Sequence, residues 1–218
     1  MHLLVYCFGG FGKEVIDIAR RLNIVSALWE TIAFLDDAPQ GNTYYGAGVF
    51  RLESVQERLG TSCIECVIAN GEPVIRKAIS ERLTAAGIPL TSLIDAGAVV
   101  SESAHIGRGA VIFPGCYVSS SVQIGLNVAI VAGSTIGHDT VLADHAVISG
   151  HVTVGGACTI GSESFIGMGS QIKENTRIGK SAIVGMGSVV CGDIPDEVIA
   201  MGNPCRPLRP NLNRRVFS

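Results

Sequence analysis

Two hydrophobic patterns divide the chain near Asp95. Over residues 1–95, short apolar runs alternate with segments of helical period. Residues 3–7 read as a strand, and Val15, Ile18, Ala19 and Leu22 then recur at helical spacing. A second strand over residues 31–35 ends in Asp36-Asp37, and residues 53–59 suit a short helix. Residues 66–69 form a third strand. Pro73 opens a helix at its first turn, where a missing N–H is harmless. Val74, Ile75, Ala78, Ile79 and Leu83 give that helix its apolar face, and Leu93-Ile94 belong to a fourth strand. Strands alternating with helices predict an α/β unit with a small parallel sheet.

Residues 96–192 follow a different rhythm. From Ile106 to Val190 every sixth residue is aliphatic, fifteen in succession without a gap. The residue two places earlier is small or compact each time, from Ala104 and Ala110 to Ala182 and Ser188. A helix repeats near 3.6 residues and a flat strand near 2. A period of six fits a short strand and a tight corner, repeated around a three-faced prism. The aliphatic side chain points inward and stacks on its equivalents in neighbouring coils, which supply the core that one coil lacks. Fifteen hexads at three per coil make five coils. The pattern is that of a left-handed parallel β-helix of hexapeptide repeats, an exception to right-handed crossover. Seventeen of the 27 glycines lie between Gly97 and Gly192, where corners need unusual dihedrals. The expected layout is therefore 1–95, an α/β domain; 96–192, the β-helix; and 193–218, a C-terminal extension.

Composition narrows the function classes. With 47% hydrophobic and 16% charged residues over 218 positions, the chain has ample material for a core. A net charge of −3 argues against a nucleic-acid scaffold. No apolar run approaches a membrane span. The apolar start, without a charged leader region, predicts no signal peptide. Seven cysteines, an odd count scattered through strands, point to a reducing compartment and a cytoplasmic location. Cys63 and Cys66 form a C-x-x-C pair, but no second ligand pair accompanies it, so it reads as part of a strand.

The chain resembles the NeuD/PglD-type sugar acetyltransferases over nearly its whole length. The marks are Gly9-Gly10-Phe11-Gly12 after the first strand, Phe34-Leu35-Asp36-Asp37 ending the second, and Ile75-Arg76-Lys77 in the third helix. Ile136-Gly137-His138-Asp139 in the β-helix and Met201-Gly202-Asn203-Pro204-Cys205-Arg206 after the last coil complete them. The resemblance implies a Rossmann-like nucleotide-sugar domain joined to an acyltransferase β-helix. It also implies a homotrimer with acetyl-CoA in the groove between subunits, and a histidine of an H-[DE] pair as general base. His138-Asp139 matches that pair.

The chemistry is coherent on its own terms. Acyl transfer from a thioester needs a base near neutrality and a donor for the oxyanion. A carboxylate beside the imidazole orients its tautomer. Adjacent residues of an extended strand face opposite ways, so Asp139 is open to serving a histidine other than His138. By itself His138 is equally readable as a solvated corner residue. The family's second histidine has no counterpart here, because Val147 stands in that slot. That leaves the roles of His145 and His151 open, with His151 a candidate for the acetyl-CoA groove and His105 a structural residue. Further groove candidates are Gly155, Gly156, Gly185 and the Gly167-Met168-Gly169 and Gly185-Met186-Gly187 corners, where glycine admits a close backbone approach. Lys173, Lys180 and Arg206 are candidates for the phosphates of CoA.

In the first domain, the N–H groups of Gly9, Gly10 and Gly12 before a helix suit a diphosphate. Cys7 takes the place where the family's loop begins with glycine, which narrows the turn. Asp36 and Asp37 suit ribose hydroxyls or a base edge, or else form an exposed turn before Pro39. The leading reading is N-acetylation of a nucleotide-linked amino sugar in surface-glycan synthesis, with acetyl-CoA as co-substrate. O-acetylation of a sialic-acid-like sugar and a non-catalytic assembly module are the alternatives. No metal is expected: a zinc β-helix needs three clustered histidines, and His138 lies at a different hexad phase from His145 and His151.

Overall fold

The computed structural model describes residues 1–39, 41–60 and 63–217. β1 (His2–Tyr6), α1 (Gly10–Ser26) and β2 (Thr31–Leu35) follow the expected order. A hairpin of β3 (Thr43–Tyr44) and β4 (Ala47–Phe50) comes next, then α2 (Leu52–Leu59), β5 (Ile64–Ile68) and α3 (Pro73–Ala85). The sheet order is β3-β4-β2-β1-β5, with β1 parallel to both β2 and β5. The hairpin carries no long apolar run, and its turn through Tyr45 and Gly46 takes left-handed dihedrals at both residues. The β1 core residues Leu3, Leu4 and Val5 are buried, because helices cover both faces of the parallel sheet.

Leu93–Ile94 is not a fourth strand of this sheet. It pairs in parallel with Val111–Ile112 and opens the β-helix. A two-residue strand of period six is indistinguishable in isolation from a short sheet strand. Leu90 does reach the sheet, through a bridge to Cys66.

Beyond Leu93 the chain winds as two-residue strands that pair eighteen residues apart, as Thr135 does with Tyr117 and Thr153. Three parallel sheets result, with the features of the left-handed β-helix. The first face includes Thr135–Ile136, the second Val141–Leu142 and the third Val147–Ile148. The aliphatic repeat residues point inward and are buried, from Ile112 to Val190. The third sheet extends beyond the last hexad through Val198–Gly202 and an antiparallel return, Cys205–Pro210.

The small residues two places before each repeat residue do more than fit. Ser134, Thr140, Ser164 and Ser170 each donate a hydroxyl to the carbonyl fifteen residues on, at 2.6–3.1 Å. A buried corner carbonyl otherwise lost to water is thereby satisfied. The corner glycines serve two purposes. One class adopts the left-handed region, as Gly133 does (φ 72°), but Asp139, His145 and His151 occupy the same phase without being glycine. The other class sits where coils touch: a Cβ on Gly137 would lie 2.5 Å from the backbone nitrogen of Gly156.

The outward positions of the third face are all apolar: Val111, Ala129, Val147, Phe165, Ile183 and Ile199. The α/β unit covers their lower end. Phe11 stacks on Phe113 with ring centroids 5.3 Å apart and packs on the Ala129, Val147 and Phe165 cluster. Arg76 of α3 is fully buried against the β-helix, and Lys77 pairs with the buried Glu163 at 3.2 Å.

Candidate active site

His138 lies at the corner between the first and second faces, two residues after Ile136, and is 65% exposed. Asp139 adopts φ 57°, which turns its carboxylate back along the chain. Oδ2 of Asp139 stands 2.7 Å from Nδ1 of His138. The strand-alternation argument therefore does not apply here, because the pair sits in a corner. The carboxylate accepts the Nδ1 proton and leaves Nε2 with its lone pair.

The imidazole rests on the next coil. A Cβ on Gly156 would lie 2.6 Å from Nε2 of His138, so only glycine leaves the ring its place. Gly155 is equally constrained, by the backbone of Glu174 at 2.5 Å from an added Cβ. The His138 carbonyl accepts the Ala157 N–H at 2.7 Å. Among the described residues the Gly156 N–H has no hydrogen-bond partner, which leaves a donor free in the residue that seats the ring.

The other histidines are placed apart. His145 is buried at the corner between the second and third faces, with Nδ1 3.1 Å from Nδ2 of Asn127. Asn127 in turn donates to the Arg76 carbonyl and accepts from its guanidinium. Arg76 also donates to Ile68 O, Asn70 O and Asn127 O. Burial pushes the Arg76 guanidinium down to about 9, with five donor–acceptor contacts in place of a carboxylate. Burial also lowers the His145 imidazole. His145 is thus a joint between the two folding units. His151 lies at the corner leading to the first face, its ring beside Gly133, on another edge of the prism from His138. His105 is exposed on the second face.

A cavity of about 690 Å³ opens along the third face under the C-terminal residues. Gly185 lines it, with Met168, Met186 and Met201 as its floor and Arg209 and Arg215 among its walls. Neither arginine was singled out by sequence, since neither belongs to a motif. Lys173 is exposed at a corner of the first face, and Arg206 donates to Cys205 O. Lys180 faces Glu163 at 3.9 Å and belongs with the joint to α3.

In the α/β unit, Gly9 and Gly10 stand at the start of α1 with open space around them. Gly12 is required by packing, since its Cβ would meet Cys7 O at close range. Cys7 takes φ 78°, and its half-buried thiol is raised by desolvation. Asp36 accepts the Ala38 N–H with one carboxylate oxygen. Asp37 is more committed: Arg82 clamps both oxygens at 2.7 and 2.9 Å, and Tyr6 donates to one at 2.7 Å. The Arg82 guanidinium holds the Asp37 carboxyl below its usual range. Lys13 and Tyr44 were missed in the sequence. The hairpin brings the Tyr44 ring within 5.1 Å of the Lys13 ammonium, beside Phe8 of the glycine loop.

The sequence profile of the PglD N-terminal domain matches residues 2–83, and that of the bacterial transferase hexapeptide (six repeats) matches residues 157–192. The acetyltransferase domain of PglB from Neisseria gonorrhoeae FA1090, solved in complex with acetyl coenzyme A, is 33% identical. The alignment covers 95% of this chain and 98% of that one, with a TM-score of 0.87. The chain belongs to the PglD-type sugar acetyltransferases of the hexapeptide-repeat family. Two further solved structures are similar to this acetyltransferase over nearly its whole length. One is a variant of perosamine N-acetyltransferase from Caulobacter crescentus in complex with CoA and GDP-perosamine. It is 26% identical, with 95% of this chain and 97% of that one covered and a TM-score of 0.87. The other is WeeI from Acinetobacter baumannii AYE, 28% identical, with 95% and 100% covered and a TM-score of 0.87. No curated protein sequence matches the chain. Among the described residues, no helix of this acetyltransferase is long and apolar enough to cross a membrane, and no cluster of side chains suits a metal ion.

Proposed function

We propose that this acetyltransferase moves the acetyl group of acetyl-CoA to the amino group of a nucleotide-linked amino sugar. The observation that carries the reading is the His138–Asp139 pair seated on Gly156. The amine nitrogen attacks the thioester carbonyl, and Nε2 of His138 takes the proton the amine sheds. The Gly156 N–H, which has no partner among the described residues, is assigned to the oxyanion. Collapse breaks the C–S bond, and the imidazolium returns its proton to the CoA thiolate. Asp139 holds the tautomer throughout and stabilises the imidazolium.

Gly155, Gly156, Gly185 and His151 with Lys173 and Arg206 are assigned to the donor groove. Gly9, Gly10 and Asp36 are assigned to the nucleotide, where exposed N–H groups at the start of a 17-residue helix favour a diphosphate, and the buried Gly12 lets that helix start close against the loop. Asp37 contributes there through its hold on Arg82. We further propose a homotrimer, because His138, Gly156 and Lys173 lie along one edge of the prism and His151 and Gly185 along another, so a second copy brings the two edges together. Val99 and Tyr117 on the first face, 61% and 47% exposed, are apolar surface for such a contact. The unpaired thiols support a cytoplasmic setting.

The test is a panel of nucleotide amino sugars and sialic acids with acetyl-CoA, read by thiol release. Turnover confined to amino sugars is expected, and turnover of sialic acids alone would overturn the reading. Sedimentation equilibrium should show a trimer, and a stable monomer at micromolar concentration would remove the intersubunit site.

A further inference from the structure

The C-terminal residues 211–217 are not a free tail. At one end the buried Asn211 donates to Ser181 O at 2.8 Å, and its N–H reaches Glu197 O at 2.7 Å. At the other end the Val216 and Phe217 N–H groups donate to the two carboxylate oxygens of Glu72 at 2.8 and 2.7 Å. Phe217 packs edge-on against Phe165 of the β-helix, 5.7 Å between ring centroids. The same ring stands 3.3 Å from where a Cβ on Gly71 would lie. The segment is a strap tied from the β-helix to the start of α3.

Glu72 departs from what its position predicts. It is the N-cap of α3, where a side-chain oxygen ordinarily accepts an N–H of the helix's own first turn. No such bond forms, and both oxygens serve the strap instead. The residue is only 7% exposed, and among the described residues no cation pairs with it. The two N–H groups of the strap are what satisfy this buried charge.

The turn that carries Glu72 borders the glycine loop. Asn70 Oδ1 accepts the Glu72 N–H at 2.9 Å, and Asn70 O accepts from Arg76 at 3.1 Å. The turn follows β5, whose neighbour Ala69 donates to O of Tyr6, the last residue of β1, at 2.9 Å. The glycine loop starts at the next residue, and Asn70 Nδ2 stands 3.6 Å from Sγ of Cys7. The carboxyl ends of adjacent parallel strands are where such sheets hold nucleotides. We infer that Glu72 is a positioning residue for the nucleotide: by holding the strap it fixes the turn at residues 70–72 as a wall of the glycine loop. The inference rests on the proposed nucleotide-sugar reading and brings into it a C-terminal segment that no motif marks. It acts through the backbone of the turn, and the half-buried Cys7 thiol is its nearest reporter.

Two full-length variants and two readouts test this. Glu72→Gln puts an amide N–H₂ against one strap N–H, and Phe217→Ala removes a ring that is 61% exposed and outside the core. The first readout is iodoacetamide labelling of each cysteine, resolved by peptide mass mapping. Cys7 should react roughly ten-fold faster in both variants, the size of one charge-assisted hydrogen bond lost from the closed turn, and the buried Cys116 and Cys158 should not change. The second is calorimetric titration with UDP, GDP and dTDP. The nucleotide that wild-type chain binds should bind roughly three- to ten-fold more weakly, because a loosened wall must be ordered on binding. An unchanged Cys7 rate in both variants overturns the inference, as does unchanged nucleotide affinity in both. Equal acceleration of Cys116 and Cys158 in both variants also overturns it, because the strap would then serve general stability. Failure of the wild-type chain to bind any of the three nucleotides would overturn the nucleotide reading together with it. Failure of the variants alone to show the expected changes leaves that reading standing.

Discussion

The Asp139 carboxylate reaches Nδ1 of His138, its immediate chain neighbour, at 2.7 Å, because Asp139 sits at the left-handed corner position with φ 57°. Side chains adjacent along an extended strand diverge, so the corner itself creates the pair. Asp139→Asn should preserve the fold, since the side chain is 61% exposed and makes no other hydrogen bond or ion pair among the described residues. It removes the charge that holds the tautomer, and kcat should fall roughly 10- to 10³-fold. Steady-state kinetics alongside CoA titration checks this, and unchanged kcat would mean that the pair is incidental.

Gly156→Ala tests the seat beneath the imidazole. The new Cβ would fall 2.6 Å from Nε2, at the far end of a side chain free to swing away. The melting temperature should therefore hold, while the misplaced base lowers kcat about 10²-fold. A variant of normal activity would place the working position of His138 elsewhere.

The sequence made much of this visible and hid the rest for physical reasons. The hexad register fixes which side chains face inward, so the β-helix was legible from Ile106 to Val190. Its first turn was not, because Leu93–Ile94 looks like any short buried strand. The His138–Asp139 pair was legible as a motif, but its internal hydrogen bond depends on one backbone dihedral. His145 shares a phase with His151 and yet is buried on Asn127, a contact eighteen residues away in sequence that only coil stacking creates. The Tyr44 hairpin and the Arg209–Arg215 wall carry no periodicity, and tertiary packing alone places them.

His145 makes the joint between the folding units sensitive to acid. Burial is the main cause that lowers its imidazole, opposed by Asp144 and Glu163 and aided by Arg76 and Lys77. The unfolded chain therefore takes up a proton before the folded one does. The stability it contributes is complete above the unfolded value of about 6.5 and is lost as pH falls through the lower folded value. Thermal unfolding followed from pH 7.5 to pH 5 should show this loss, and His145→Gln should flatten that component. An identical pH slope in the variant would assign the loss to other groups.

Cys7 occupies φ 78°, a region that disfavours a Cβ by roughly 1–2 kcal/mol. Cys7→Gly relieves that strain and adds flexibility to the unfolded chain, of opposite sign and similar size. The net change in stability should be within about 1 kcal/mol, neutral or favourable. The KM for the nucleotide sugar should stay the same or fall, because the turn is no longer narrowed. A marked rise in KM would mean that the thiol itself, held near Asn70, contributes to the loop.

The account stands most directly on His138 as the base. His138→Ala should retain the assembly and the affinity for CoA, since the ring rests on Gly156 at an exposed corner and carries no packing of the core. With the acceptor it turns over, kcat at neutral pH should fall roughly 10²- to 10⁴-fold, the usual span for a positioned base. The loss should narrow at high pH, where more of an amine acceptor is already deprotonated. Near wild-type turnover by His138→Ala at neutral pH would contradict the account and return the question to His151.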